Sequence, residues 1–246
     1  MLSHQKECGP IMTTSLIYLI LGATWLFGLV VQQRLKATYA RYSAVPNGSG
    51  LSGAAVAQHI LDANGLEKVH LEVAPGKLTD HYDPRTLAIR LSPDDARGAS
   101  VAAMAVCAHE VGHALQDAED YPPLELRTSM FRVVQAGARF GIPVAMLGSF
   151  LGSQAMFLLG MLGYVGSILF HFVTLPVEFD ASRRALAQLK SLGITRGKLE
   201  EDEARTTLRA AAMTYVAGAV SAAGFLLIVG ADVLRAVGGL ARRRAL

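Results

Sequence analysis

Charge is scarce in this 246-residue chain: Asp, Glu, Lys and Arg together make up 17% of it and hydrophobic residues 52%. Ordinary soluble domains carry about 25% charged residues. A soluble domain of this length has no use for such an excess of apolar residues, whereas a small domain with several membrane spans requires it. Cysteine is nearly missing too. Cys8 and Cys107 are the two present, which excludes a disulfide framework. Cys107 stands two residues before a histidine but projects away from that histidine's helix face, so it reads as a small buried apolar residue. No basic run is interleaved with aromatics, and a net charge of +3 is too small to argue for nucleic acid as a partner. The apolar runs hold no paired carboxylates, which argues against a transporter. No internal repeat or low-complexity tract occurs.

The apolar residues come in blocks. Residues 15–33, after a tail over 1–14, are long enough to span and are edged by Arg34, Lys36 and Arg41. No small-x-small cleavage site follows them, so they predict a membrane anchor and not a signal peptide. A Pro/Gly/Ser/Asn linker at 46–52 precedes a helix over 52–63 closed by Asn64-Gly65. Alternation at 69–73 and 86–91 predicts two short strands around a polar loop at 75–84, and strand 86–91 offers an edge to an extended peptide. Residues 34–135 therefore predict a small α+β unit outside the bilayer. Residues 141–175 contain no charged side chain other than His171. With 136–140 they predict a two-span hairpin turning at Gly152-Ser153-Gln154. A segment at 176–210 opens a helix at Pro176, with Gly193 as its stop. A last apolar block at 211–234 and a basic tail at 235–246 complete the chain. The expected fold is a mainly α membrane protein, with about four transmembrane helices and a small α+β zincin-like unit.

The chemistry lies in His109-Glu110-Val111-Gly112-His113. Two histidines four apart lie one above the other on a helix face, where both imidazoles reach one tetrahedral Zn²⁺. Glu110 then faces the open side of the metal as a base for its water, the arrangement a metalloprotease needs. Ser100 is a plausible N-cap, and the run from it to Gln116 contains no helix breaker. A catalytic zinc site takes three protein ligands. Glu178, just beyond the apolar hairpin, is the candidate for the third. Two spans return the chain to the side on which His109 and His113 lie, whereas one span would leave Glu178 across the membrane. Asp180 suits a first-turn carboxylate beside the helix dipole equally well.

Ser52-Gly53-Ala54-Ala55-Val56-Ala57, Ile60-Leu61-Asp62-Ala63-Asn64-Gly65-Leu66 and Pro75-Gly76-Lys77-Leu78-Thr79-Asp80-His81-Tyr82-Asp83-Pro84 occur in order. Ala108-His109-Glu110-Val111-Gly112-His113-Ala114-Leu115-Gln116 and Thr174-Leu175-Pro176-Val177-Glu178-Phe179 follow them. In these motifs the chain resembles the bacterial membrane zinc metallopeptidases of the YugP type, the neutral zinc metallopeptidase family. It is distantly similar to membrane proteases of the HtpX and CAAX-prenyl-protease kind. Those place a zinc-binding glutamate in a Glu-x-x-Ala-Asp-like stretch, which Glu178-Phe179-Asp180-Ala181-Ser182 matches except at Ser182. The resemblance implies a gluzincin-like endopeptidase of the bacterial cell membrane, multi-pass, with one Zn²⁺ per chain on His109, His113 and Glu178 and with Glu110 catalytic. Its partners would be a protein or peptide substrate and the lipid bilayer. His81 and Tyr82, in a polar loop beside a strand, are candidates for oxyanion or substrate contacts, and Asp180 for orienting a histidine.

The competing class is a proteolytically inactive zinc-binding membrane scaffold or regulator. An intact Glu110 favours the enzyme, since a structural site normally fills all four positions with protein ligands. Basic residues near span ends place the active site in the cytoplasm by eleven to five. Arg235, Arg242, Arg243 and Arg244 count on the opposite side.

Overall fold

The computed structural model describes the backbone of residues 14–244 and the side chains of residues 15–227. The tail expected at 1–14 lies outside these residues save for Thr14, and so do the side chains of the basic tail. The described residues are mainly helical. Helix α1 (Thr14–Ser43) runs 30 residues, ten past the expected span, because no proline or glycine interrupts 34–43 before Pro46. Helix α2 (Gly53–Ala63) starts where the Ser52 hydroxyl accepts from the Ala55 amide. It ends at Asn64, with Gly65 left-handed at φ +68°. Its Val56, Ala57, Ile60 and Leu61 are fully buried.

Strands β1 (His70–Val73), β2 (His81–Asp83) and β3 (Ala88–Leu91) form one sheet in the order β1-β3-β2. β1 pairs parallel to β3 with His70 opposite Ala88, and β2 pairs antiparallel to β3 with His81 opposite Arg90. Two expectations change here. The loop at 75–84 contains a strand of its own, and β3 is central and offers no free edge to a peptide. Its Ala88, Ile89 and Leu91 are too apolar for an edge and are buried beneath the helices. Helix α3 (Pro93–Arg97) leads into α4 (Val101–Ala118), the central element of the hydrophobic core.

Helices α5 (Pro122–Phe150) and α6 (Gln154–Ser191) make the hairpin, turning at Gly152, φ +66°. They touch backbone to backbone: a Cβ on Gly137 would fall 2.3 Å from the Gly163 carbonyl oxygen, and one on Gly160 2.4 Å from that of Gly141. Small residues that admit this approach drive helix pairing where lipid removes the hydrophobic incentive. α6 corrects the expected helix start at Pro176. The helix runs on through that proline, because a bundled membrane helix tolerates the loss of one backbone donor. The helix ends at Ser191, next to the expected stop at Gly193, and Gly193 and Gly197 take positive φ in the turn that follows. Helix α7 (Lys198–Arg244) then returns alongside.

Among the described residues, four helices are long and apolar enough to cross a membrane: Ser15–Ser43, Pro122–Phe150, Gln154–Ser191 and Lys198–Leu227. Leu19, Trp25, Phe150 and Leu162 point outward from them, at least two-thirds exposed. An outward apolar surface of this extent has lipid as its natural solvent. His171 packs on Gly218 of α7, a helix-packing contact.

Candidate metal centre

α4 sets the first two groups. Ser100 caps it through the Ala103 amide, and Ala102, Met104, Ala105, Ala108 and Val111 are fully buried, which fixes the helix's rotation. His109 and His113 therefore face α6 together, ring centroids 4.7 Å apart at 79°. α6 supplies Glu178, 1% exposed. Its Oε2 lies 3.2 Å from His109 Nε2 and 3.6 Å from His113 Nε2, and all three ligand atoms fall within 4.8 Å of one another. Gly112 permits this approach, for a Cβ there would stand 2.4 Å from the Ala181 carbonyl oxygen.

The tautomer of His113 can be worked out from its neighbours. Gln116, fully buried, donates through Nε2 to the Val177 carbonyl at 2.8 Å and to Asp180 Oδ2 at 3.0 Å. Both partners are pure acceptors, so the amide cannot be flipped. Gln116 Oε1 must then accept from His113 Nδ1, 3.0 Å away, which leaves His113 Nε2 with a free lone pair. The Ser182 hydroxyl lies 3.2 Å from His109 Nδ1; a hydroxyl donates or accepts, so it suits an Nδ1–H that leaves the Nε2 lone pair toward Glu178 but does not by itself set that tautomer. Asp180 thus reaches a histidine only through Gln116. Ser182, standing where the distant relatives have aspartate, takes the other histidine directly. Asp180 is also gripped by Arg183 and by Arg184 Nε at 2.6 Å. Arg184 continues to Glu119 at 2.8 Å and so fastens α6 to the end of α4.

Two imidazole lone pairs and a carboxylate oxygen that meet at one point repel each other unless a positive charge lies between them. The edge of a tetrahedron with ligand distances of about 2.0–2.1 Å is about 3.3–3.4 Å. The observed spacings of 3.2 and 3.6 Å fit it. The donor set therefore suits Zn²⁺. The other carboxylate oxygen of Glu178 is buried and takes no well-angled hydrogen bond, but Arg127 Nη1 is 3.2 Å from it. The Tyr215 phenol of α7 also interacts with Glu178 and lies within electrostatic reach of Arg127 and Glu110.

Glu110 is buried and makes no hydrogen bond among the described residues. Burial pushes its carboxyl up to about 7, a rise opposed by His109, reinforced by Glu178 and Asp80 and opposed again by Arg127. Cys107 is sealed in the core with its thiol toward the Asp95 carbonyl; burial, with Asp95 close by, pushes the thiol up, so it stays protonated. His81 and Tyr82 do not join the cluster. Pairing of β2 with β3 directs Tyr82 to the end of α4, where its hydroxyl donates to Asp117 at 2.7 Å. Burial and that bond push the phenol up. His81 is exposed, with Nδ1 against the Thr79 carbonyl.

Four residues around the site escape sequence reasoning. Gln116 leaves a signal, a polar residue inside an apolar helix one turn past His113. Ser182 is noticeable only as the departure from an aspartate. Arg127 reads as an interfacial charge, and Tyr215 sits within an apolar block with nothing local to mark it.

Residues 17–230 match the family described as "Putative neutral zinc metallopeptidase". The "Putative membrane protease YugP" of Bacillus subtilis (strain 168) is 41% identical over 204 residues, covering 83% of this chain and 90% of the relative. No solved structure matches. With the whole His109–Glu178 cluster inside the matched span, the chain belongs to the neutral zinc metallopeptidase family.

Proposed function

We propose that the protein is an integral-membrane zinc-dependent endopeptidase that cleaves membrane or membrane-adjacent proteins, its active site on the cytoplasmic face. One observation carries the reading: three ligand atoms converge, and Glu110, a buried carboxylate without a hydrogen bond among the described residues, follows His109 on α4. His109 Nε2, His113 Nε2 and Glu178 Oε2 would hold one Zn²⁺ per chain. Bound there, the ion supplies polarisation of the scissile carbonyl and acidification of the attacking water. Glu110 takes that water's proton and passes it to the leaving amine. Its buried setting, which brings its carboxyl close to neutrality, suits both transfers. Gln116 fixes the tautomer of His113 and Ser182 positions the His109 ring, and Asp180 acts through Gln116. Arg127 and Tyr215, the donors beside Glu178, take the role of steadying negative charge on the carbonyl oxygen in place of His81 and Tyr82.

The test pairs Glu110→Gln with wild type in native membranes, with zinc measured on the purified proteins and new protein N-termini mapped by mass spectrometry. Both proteins should carry zinc, and only wild type should generate new N-termini. Wild type without zinc, or new N-termini undiminished in the variant, would sink the reading.

A further inference from the structure

Between the outer part of α6 and the opening of α7 runs a groove of ≈ 510 Å³. Arg183, Lys190, Arg205 and Arg209 line it against a single carboxylate, Glu201. Lys190 already holds Glu201 at 3.2 Å, and Arg183 leans on Asp180. Arg205 and Arg209, four apart on one face of α7, are exposed and have no carboxylate at ion-pair distance among the described residues. Neither is held in an ion pair among those residues, although Glu201 stands one helical turn before Arg205.

The groove is also ordered by depth. α6 leaves its uncharged run after residue 175, and α7 enters its own after Arg209. Phe179, half exposed, and Ala212 therefore mark the end nearest the hydrocarbon. Arg183 and Arg209 stand one helical turn further out, about 5–6 Å at 1.5 Å per residue. Arg205 stands a second turn out, at about 10 Å, from which a long flexible side chain reaches back to the headgroup layer. The headgroup layer of a bilayer is about 5–8 Å deep on each side. Cations at headgroup depth above an apolar floor reproduce, along the membrane normal, the order of a phospholipid's phosphate and its acyl chain. An extended acidic peptide would need cations spaced along its own length instead.

We propose that this groove binds an anionic phospholipid, its phosphate on Arg205 and Arg209 and an acyl chain against Phe179. The site has a link to the metal centre. Ser182 lines the same groove and bonds His109 Nδ1 from behind, so a seated lipid braces a residue that positions that histidine's ring. This inference is independent of peptidase activity, because its readout is lipid retention.

The test uses the full chain purified in detergent containing phosphatidylglycerol and phosphatidylcholine in equal amounts, with retained lipid counted by native mass spectrometry. Wild type should retain one phosphatidylglycerol in preference to phosphatidylcholine. Arg205→Gln/Arg209→Gln should lower phosphatidylglycerol affinity about thirty-fold, the effect expected of two interfacial cations, and leave phosphatidylcholine unaffected. Arg205→Lys/Arg209→Lys should keep most of the binding, and Lys68→Gln, outside the groove, all of it. If the glutamine variant fails to fold, the lysine pair decides: complete loss of lipid there would overturn a site built on charge at headgroup depth. Unchanged retention in the folded glutamine variant would overturn the proposal, as would equal loss of both lipids. Displacement of the lipid by millimolar inorganic phosphate would make this a free-phosphate site and overturn it too. Capture of an acidic peptide with no lipid preference would do the same.

Discussion

Gly112→Ala tests the link between packing and metal most directly. The added Cβ would stand 2.4 Å from the Ala181 carbonyl oxygen, where ordinary contact begins at 3.4 Å. The obstacle is backbone, so no side chain can swing aside, and α6 must retreat by about 1 Å. Glu178 lies three residues before Ala181 on the same helix and retreats with it. Spacings of 3.2 and 3.6 Å to the two imidazoles then open well beyond the ±0.2 Å that a metal site tolerates. Disturbing the groups that hold metal ligands in place typically costs about ten- to a hundred-fold in affinity, so zinc affinity should fall by at least about tenfold. Overpacking should also lower stability by about 1–3 kcal/mol. Competition with a fluorescent chelator reads the affinity, and circular dichroism shows that the helices persist. Gly166→Ala, whose Cβ would meet nothing within 4 Å, serves as the control and should bind zinc as wild type does. Wild-type zinc affinity in a folded Gly112→Ala protein would refute the idea that contact at this glycine sets the ligand spacing.

Glu178→Ala should weaken zinc binding at least tenfold and Asp180→Ala less, because Asp180 touches His113 only through Gln116; equal losses in a chelator titration would contradict that order. Burial, with the nearby Asp80, raises Asp95 to about 6 from 3.8. The folded state therefore binds the extra proton, and stability falls as pH rises from about 4 to 6. The thermal midpoint of wild type relative to Asp95→Asn should fall across that window, and a flat difference would rule the linkage out. Cysteines engineered at Asp120 and at Lys190 should react with an impermeant reagent from the same membrane face, whereas labelling from opposite faces would mean one crossing between the motifs.

Much of this arrangement is legible before folding. The caps at Ser52, Asn64 and Ser100, the hairpin turn at Gly152 and the shared His109 and His113 face of α4 follow from local rules about hydrogen-bond donors, left-handed glycine and helical period. Glu178 is legible for a different reason, since an even number of crossings is a topological requirement that can be counted. Other features depend on neighbours that sequence does not supply. Pro176 signals a helix start in water, but a helix continuing out of a bundle absorbs a missing donor. Tyr82 carries the right chemistry for a catalytic donor, and strand pairing sends it to Asp117. Arg127 and Tyr215 reach Glu178 from two other helices, 51 and 37 residues away in sequence, a separation that no local pattern encodes.

The unbroken run of α6 turns it into a lever. From the turn at Gly152 to Glu178 the helix is about 36 Å long, so one degree of tilt swings the carboxylate by about 0.6 Å. A helix in a bilayer sets its tilt by matching its apolar length to the local hydrocarbon thickness. Thickness and metal affinity are therefore geared to each other: a thinner or thicker leaflet pulls on the ligand, and an occupied site resists the tilt. By reciprocity of linked equilibria, whatever free energy a tilt of α6 adds to or takes from zinc binding on His109, His113 and Glu178 is the free energy by which bound zinc would favour or oppose that tilt.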